Sequence, residues 1–467
     1  MLTRLEVDGF KNLLDFSVDF GPYTCIAGVN AVGKSNIFDA IEFISLLADN
    51  SFMEAAQKLR EVGARTMDPS SLFWQDHKGQ YSNMLFATEM IVPPEVEDDF
   101  GRTVRPTTSF LRYELELRYR QPDEKAVAQF GSIELVREEL RHIKLGDAPG
   151  HLPWPHSKKN FRDSAVFGRR SGIAYISTQD DHGEGVVNVH QDGGSRGQPR
   201  TSPANRAPRT IVSTTTASDD PTILAARREM QQWRVLALEP SAMRAPDAVM
   251  GVSEIAANGA HLAAALFRMA ADAGDDVYGE VAAEAAALVD VRLVNVDYDS
   301  HRDLLTLQAQ LGTGPVLPAR SLSDGTLRFI ALCIIGLDDH FGGVLCMEEP
   351  ENGIHPSRIQ AMVELVRDLA VDPFSKVDVE NPLRQVIVNT HSPYFVQFQE
   401  ANDLMLALPV TVKRGAQAAT SIRLLPIKGT WRAPRTNDSV TRPTIVDYLI
   451  NPPGTQLKLE LPEAAGG

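Results

Sequence analysis

The stretch Gly28-Val29-Asn30-Ala31-Val32-Gly33-Lys34-Ser35 limits the folds open to this chain more than any other. It fits the pattern of Gly, four residues, Gly, Lys and then Ser or Thr, which cradles phosphates between a strand and a helix. Its flanks supply that context. Tyr23-Thr24-Cys25-Ile26-Ala27 is a short, mostly apolar run suited to a buried parallel strand. After Lys34, the residues Ile37, Ala40, Ile41, Ile44 and Leu47 fall at the spacing of a helix with one apolar face. Gly28 and Gly33 let the backbone curl so that successive N–H groups face the phosphates, and the helix start adds partial positive charge. Lys34 is expected to reach the β- and γ-phosphates, and the Ser35 hydroxyl to ligate Mg²⁺.

Three distal stretches read with it as one ATP site. Val344 to Met347 is an apolar strand running into Glu348-Glu349-Pro350-Glu351. Adjacent carboxylates at a buried strand end are costly unless something positive neutralises them, and Mg²⁺·ATP would. Glu348 is then expected to hold Mg²⁺, and Glu349 to orient and deprotonate the attacking water. Gln385 to Asn389 is a third apolar strand, followed by His391, where α/β sheets bind ligands. His391 could donate a hydrogen bond to the γ-phosphate. Alone, the acidic run reads as a solvated loop and the histidine as structural; the phosphate loop changes that balance. Ser321-Leu322-Ser323-Asp324-Gly325-Thr326 precedes another amphipathic helix and offers a second anion-binding helix start. One protomer cannot easily bring both helix ends to one γ-phosphate, whereas two protomers related by a two-fold axis can.

At these residues the chain resembles the RecF/SMC-like branch of ABC-type ATPases. More narrowly it is similar to the AAA-type ATPases grouped with the overcoming-lysogenization-defect (OLD) family. The opening Leu2 to Asn12 with its Phe10-Lys11 turn, Asn36 after the loop serine, Ser323-Asp324-Gly325, Glu349-Pro350-Glu351-Asn352-Gly353-Ile354-His355-Pro356 and Thr390-His391-Ser392-Pro393 carry the resemblance. It covers residues 1–75 and 230–400. It implies an α/β P-loop NTPase, an ABC-type ATPase head with a mixed sheet, a helical lobe and a β-rich or disordered insertion. It implies ATP binding at Gly28, Asn30, Gly33, Lys34, Ser35 and Asn36, Mg²⁺ at Ser35, Glu348 and Gln75, and chemistry at Glu349 and His391. Ser323 and Gly325 would act in trans in a homodimer or higher oligomer, with Asn352 and Gly353 in the turn that crosses its interface. Two positions depart from ABC proteins in general. Asp324 replaces the first signature glycine, and Glu348 stands where Asp is usual. The extra methylene moves that carboxylate outward by about 1.5 Å, which suits slow turnover or a tight ATP-holding switch.

Composition bounds the rest. The 467 residues are enough for two or three domain-sized units. No run approaches the roughly 20 apolar residues of a membrane span. Asp8, Lys11 and Asp15 interrupt any signal-like N-terminus, so a cytoplasmic protein with no membrane association is expected. Cys25, Cys333 and Cys346 fall inside expected core elements, as reduced, buried thiols would. A net charge of −15 argues against non-specific DNA binding over the whole surface. A local basic patch is the exception to test: Lys158, Lys159, Arg162, Arg169, Arg170, Arg196, Arg200, Arg206 and Arg209 cluster in sequence.

The expected organisation is residues 1–75 for the N-terminal part of the head, 76–230 for an insertion, 231–425 for the helical lobe and the rest of the head, and 426–467 for a tail. Strands are expected at 110–119 and 133–140, long loops or disorder with short β-like pieces such as Ile173-Ala174-Tyr175-Ile176 at 146–222, helices around 260–272 and 280–289, and a hairpin at 291–298 and 304–311. The functional expectation is an ATP-hydrolysing switch that controls a separate effector, a nuclease or toxin, plausibly in anti-phage defence. After His391 there are too few residues for an OLD-type Toprim nuclease and no Asp-x-Asp pair. The alternatives are a RecF-like repair or replication ATPase that binds nucleic acid, and a scaffold that uses ATP only to dimerise.

Overall fold

The computed structural model describes residues 1–59, 68–122, 130–170, 172, 174–181, 184–192, 198–415, 417–436 and 438–451. The chain opens with the antiparallel strands β1 (Leu2–Asp8) and β2 (Phe16–Asp19). Strand β3 (Tyr23–Ala27) leads through the phosphate loop into helix α1 (Lys34–Leu47), and α2 (Phe52–Lys58) follows. Next come β4 (Met84–Ile91), the two-residue strands β5 (Val96–Glu97) and β6 (Thr103–Val104), β7 (Phe110–Arg120) and β8 (Ser132–His142). Strands β9 (Ile176–Asp181), β10 (Glu184–Val189) and β11 (Arg200–Pro203) precede helix α3 (Pro221–Gln231). Among the described residues, one sheet has the order β11-β10-β9-β8-β7-β4-β1-β2, so strands from 76–230 pair directly onto the N-terminal hairpin.

The second half begins with β12 (Arg234–Leu236) and β13 (Asp247–Ala248). Helices α4 (Leu262–Ala273) and α5 (Asp276–Leu288) then pack beside the hairpin β14 (Val291–Asp299) and β15 (Leu304–Leu311), with β16 (Val316–Pro318) at its edge. Helix α6 (Asp324–Leu337), β17 (Gly343–Glu348), α7 (Ile359–Asp368), β18 (Arg384–Thr390), β19 (Leu404–Arg414) and β20 (Gln417–Pro426) complete the core. A helix at Arg442–Ile450 ends the described chain. The second large sheet has the order β12-β17-β18-β3-β19-β20 and is parallel except at β20.

That sheet separates two apolar cores, and the period-two geometry of its strands explains why. Ile26, Val344, Cys346 and Ile387 join the core that holds α1 and the eight-stranded sheet. Their neighbours Cys25, Ala27, Leu345, Met347, Val386 and Val388 join the core of α4 to α7. All residues of β3 and β18 are therefore buried, which accounts for their near-continuous apolar character. Helix α1 buries Ile37, Phe38, Ile41, Phe43, Ile44 and Leu47, each worth about 1.5–3 kcal/mol of burial. The three cysteines are free and buried. Among the described residues no helix is long and apolar enough to cross a membrane.

Segment 146–222, read as long loops or disorder with short β-like pieces, is more ordered than that: it contains β9 to β11, although residues 171, 173, 182–183 and 193–197 lie outside the described set. The hairpin β9–β10 is attached to β8 through Leu140 opposite Ile176 and through Tyr175 N–H donating to Leu140 O at 2.7 Å. Buried Tyr175, Ile176, Val187 and Val189 anchor it. Polar groups do the remaining work: Asp192 accepts from Thr107 Oγ1 at 2.6 Å and from Thr222 N–H at 2.6 Å. With so few apolar anchors scattered among Thr, Asp and Gly, the segment has the composition of a loop.

Candidate nucleotide site

Parallel pairing sets the C-terminal ends of β17, β18 and β3 side by side. Glu348 lies opposite Asn389, and Thr390 opposite Ala27. Gly28 N–H donates to Thr390 O at 3.1 Å, which fixes the start of the phosphate loop to the strand that carries His391. The loop crown, Asn30 and Ala31, is exposed, and Ala31 takes a left-handed backbone with φ 64°. Gly33 has φ 105° and caps α1 without a side-chain hydrogen bond. No acidic residue occupies the first turn of α1, and Ser35 is exposed there. A helix start with no side-chain cap is free to receive an anion.

The Lys34 side chain is 6% exposed, and its Nζ donates to Gly28 O at 2.6 Å and Val29 O at 2.9 Å. Burial lowers its ammonium from the usual lysine range, while the nearby carboxylates of Glu349, Glu348 and Glu351 oppose that shift. All three acidic groups act on the charge of the lysine. Asn389 organises two of them. Its Nδ2 donates to Glu348 Oε1 at 3.3 Å, and its main-chain oxygen accepts from Glu349 N–H at 3.0 Å.

Glu349 is held on both carboxylate oxygens. His391 Nδ1 lies 2.6 Å from Oε1, and Asn352 Nδ2 donates to Oε2 at 2.7 Å. A carboxylate only accepts, so Nδ1 carries the proton. Glu349 also has φ 46°, a left-handed conformation unusual for a residue with a side chain. Such conformations cost about 1–3 kcal/mol and cluster at functional sites. Glu351 is 6% exposed; Thr390 Oγ1 donates to its Oε1, and its Oε2 is buried without a partner. Burial raises its carboxyl, opposed by the Thr390 hydrogen bond.

The signature segment sits elsewhere on the same surface. Ser323 caps α6, its Oγ accepting from Thr326 N–H at 3.3 Å, and Asp324 pairs with Arg244 at 2.5 Å. A Cβ on Gly325 would lie 3.4 Å from Gly353 O and from Ile354 Cδ1. Ser323-Asp324-Gly325 therefore adjoins the Asn352-Gly353 turn. Among the described residues no hydrogen bond joins Ser323 or Gly325 to the chain's own phosphate loop. Gln75 is exposed, and its Nε2 donates to Gly79 O at 3.1 Å within its own turn. Asn36 does reach the loop region, but its Nδ2 donates to Asn12 Oδ1 at 2.7 Å.

A divalent cation fits the donor set. The Ser35 hydroxyl and the Glu348 carboxylate are oxygen ligands of the kind Mg²⁺ takes, and among the described residues the buried Glu351 Oε2 has no hydrogen-bond partner. Among the described residues no group of three or more His, Cys, Asp or Glu could hold a metal ion by itself, as suits an ion shared with substrate phosphates. Sequence reasoning missed Asn389, whose signal was a polar side chain closing an otherwise apolar strand, and it missed the contacts of Asn12.

The chain has the mixed α/β fold of a P-loop NTPase. Residues 224–397 match the family model described as "AAA domain, putative AbiEii toxin, Type IV TA system". That span holds α6, the acidic pair and His391, and begins after the phosphate loop. Solved structures of SMC heads are also similar in outline. An Smc head bound to the C-winged helix domain of ScpA has 14% identity and TM-score 0.45, over 91% of this chain and 98% of that one. The SMC head domain from Thermotoga maritima has 10% identity and TM-score 0.39, over 91% and 99%. An Smc head with an extended coiled coil, bound to the C-terminal domain of ScpA and derived from Pyrococcus furiosus, has 11% identity and TM-score 0.41, over 91% and 96%. No curated protein matches the chain.

Proposed function

We propose that this chain binds Mg²⁺·ATP at residues 28–36 and hydrolyses it, working as a homodimer whose opening and closing governs a separate effector. The observation that carries this reading is the meeting of Lys34, Glu348, Glu349 and His391 at adjacent C-terminal strand ends. Lys34 exchanges its hold on the Gly28 and Val29 carbonyls for phosphate oxygens. Ser35 and Glu348 would hold the cation, which would supply neutralising charge for the transferring phosphoryl group. Glu349 takes the proton of the attacking water on one carboxylate oxygen, each oxygen keeping a second lone pair beside its present hydrogen bond. His391 and Asn352 keep that carboxylate aimed. Ser323 and Gly325 of the second protomer close over the γ-phosphate, supported by the position of the signature turn beside Asn352-Gly353.

The matched family description names a putative toxin of a type IV toxin–antitoxin system for the domain itself. The separate nuclease or toxin, and the anti-phage setting, rest on the resemblance read in the sequence. A RecF-like nucleic-acid role has less support, because two cations of the basic segment are already matched: Arg170 lies 3.7 Å from Asp192, and Arg200 pairs with Asp220. Arg196 lies outside the described residues.

The deciding assay is equilibrium binding of labelled ATP with phosphate release measured in parallel. Lys34→Ala is expected to lose ATP binding while staying folded. Glu349→Gln is expected to bind ATP normally and to turn over about 100-fold or more slowly. Tight ATP binding by folded Lys34→Ala would reject the phosphate-loop assignment, and near-normal turnover by Glu349→Gln would remove it as the base.

A further inference from the structure

Three successive residues of the N-terminal turn each grip one position of α1. The Phe10 ring stacks on Phe43 with centroids 5.8 Å apart. Lys11 Nζ pairs with Asp39 Oδ2 at 2.5 Å. Asn12 Oδ1 accepts from Asn36 Nδ2 at 2.7 Å. Positions 36, 39 and 43 follow the three- and four-residue spacing of one helix face. The turn is itself rigidly placed: Leu13 N–H donates to Phe10 O at 2.8 Å, and Lys11 N–H to Leu72 O at 2.8 Å. Lys11 is held at φ 49° to achieve this, a conformation that persists only where its surroundings enforce it.

Asn12 is the member of the trio that touches the phosphate loop. Its Nδ2 donates to Val32 O at 3.4 Å. The same carboxamide fills the space beside Gly33, where an added Cβ would fall 2.4 Å from Asn12 Nδ2. Gly33 is thus glycine for two reasons, its φ of 105° and the carboxamide packed against it. One side chain therefore joins the end of the loop, at Val32 and Gly33, to the first turn of α1, at Asn36.

We propose that Asn12 is a positioning residue that holds the phosphate loop in its binding form before nucleotide arrives; this rests on the reading of residues 28–36 as the ATP site. Without the clamp the loop samples other conformations, and apparent affinity falls by the fraction of molecules that remain competent. Saturating ATP restores the competent form, so KM should rise while kcat is kept.

The test compares Asn12→Ala and Asn12→Ser with the wild type and Lys34→Ala, by ATP titration, steady-state kinetics and thermal unfolding without nucleotide. Both Asn12 variants are expected to weaken ATP binding and raise KM about tenfold, as one lost hydrogen bond of ordinary strength does. Values of kcat should stay within about twofold. An unchanged KM in Asn12→Ala, even with a lowered unfolding temperature, overturns the proposal, because that is what a purely structural residue gives. If Asn12→Ala does not fold, Asn12→Ser, whose shorter side chain cannot span Val32 and Asn36, carries the same test. Failure of the wild type to bind ATP would sink the site itself; ATP binding that Lys34→Ala abolishes and Asn12→Ala spares would sink only this inference.

Discussion

Glu138 shows how much a single buried group can set. It is fully buried, and burial pushes its carboxyl from 4.5 to about 7, against the hydrogen bonds it accepts from Ile211 and Val212 N–H. Those bonds, 2.7 and 3.0 Å long, pin the turn Ile211–Thr214 to β8. A carboxyl raised on folding favours the folded state fully below its unfolded value of 4.5, and that contribution is lost as pH rises through about 7. The wild type is therefore expected to lose on the order of a few kcal/mol across that window relative to Glu138→Gln, which keeps an acceptor and does not titrate. Thermal unfolding of both proteins from about pH 4.5 to 8 checks this; a gap that does not change with pH would reject it. Sequence alone exposed Lys34, Ser35, Glu348, Glu349 and His391, because their chemistry needs fixed residue types at fixed spacing. It was silent on Glu138, Asn389 and Asn12, whose roles come from partners far along the chain.

Among the elements, the strand at Tyr23–Ala27, the hairpin at 291–311 and the helices from 262 to 288 were legible because each satisfies one simple periodicity. The strands β9 to β11 were not, because pairing with β8 rather than apolar patterning holds them. Helix α6 carries the prediction at this scale. Its start is capped by Ser323 and faces solvent beside the Gly353 turn. Ser323→Arg is expected to cost about 0.5–2 kcal/mol of stability through the lost cap. It should leave ATP affinity within about twofold, since the protomer's own loop is untouched, and should abolish ATP-driven dimers. Light scattering after size exclusion, with and without Mg²⁺·ATP, reads the outcome; dimers that persist unchanged would remove Ser323 from the trans contact.

Among the described residues two large apolar cores flank one largely parallel sheet, a smaller third core gathers around Phe110, Trp154 and Phe161, and the candidate site lies along that sheet's C-terminal rim. Affinity capture of tagged Glu349→Gln from its native host, with Mg²⁺·ATP present, is expected to retain a nuclease or toxin-like protein as seen by mass spectrometry. Repair or replication proteins with bound DNA, and no such effector, would move the reading to a RecF-like role. What sequence by itself determined is the phosphate loop, the order of the motifs and the α/β class, because short-range backbone geometry and apolar periodicity are written locally. Only the tertiary structure decided that Asn389 joins the acidic pair and that β9, β10 and β11 extend a sheet. Each of those depends on which strands pair, and pairing between distant segments follows from the packing of the whole chain rather than from any one stretch of it.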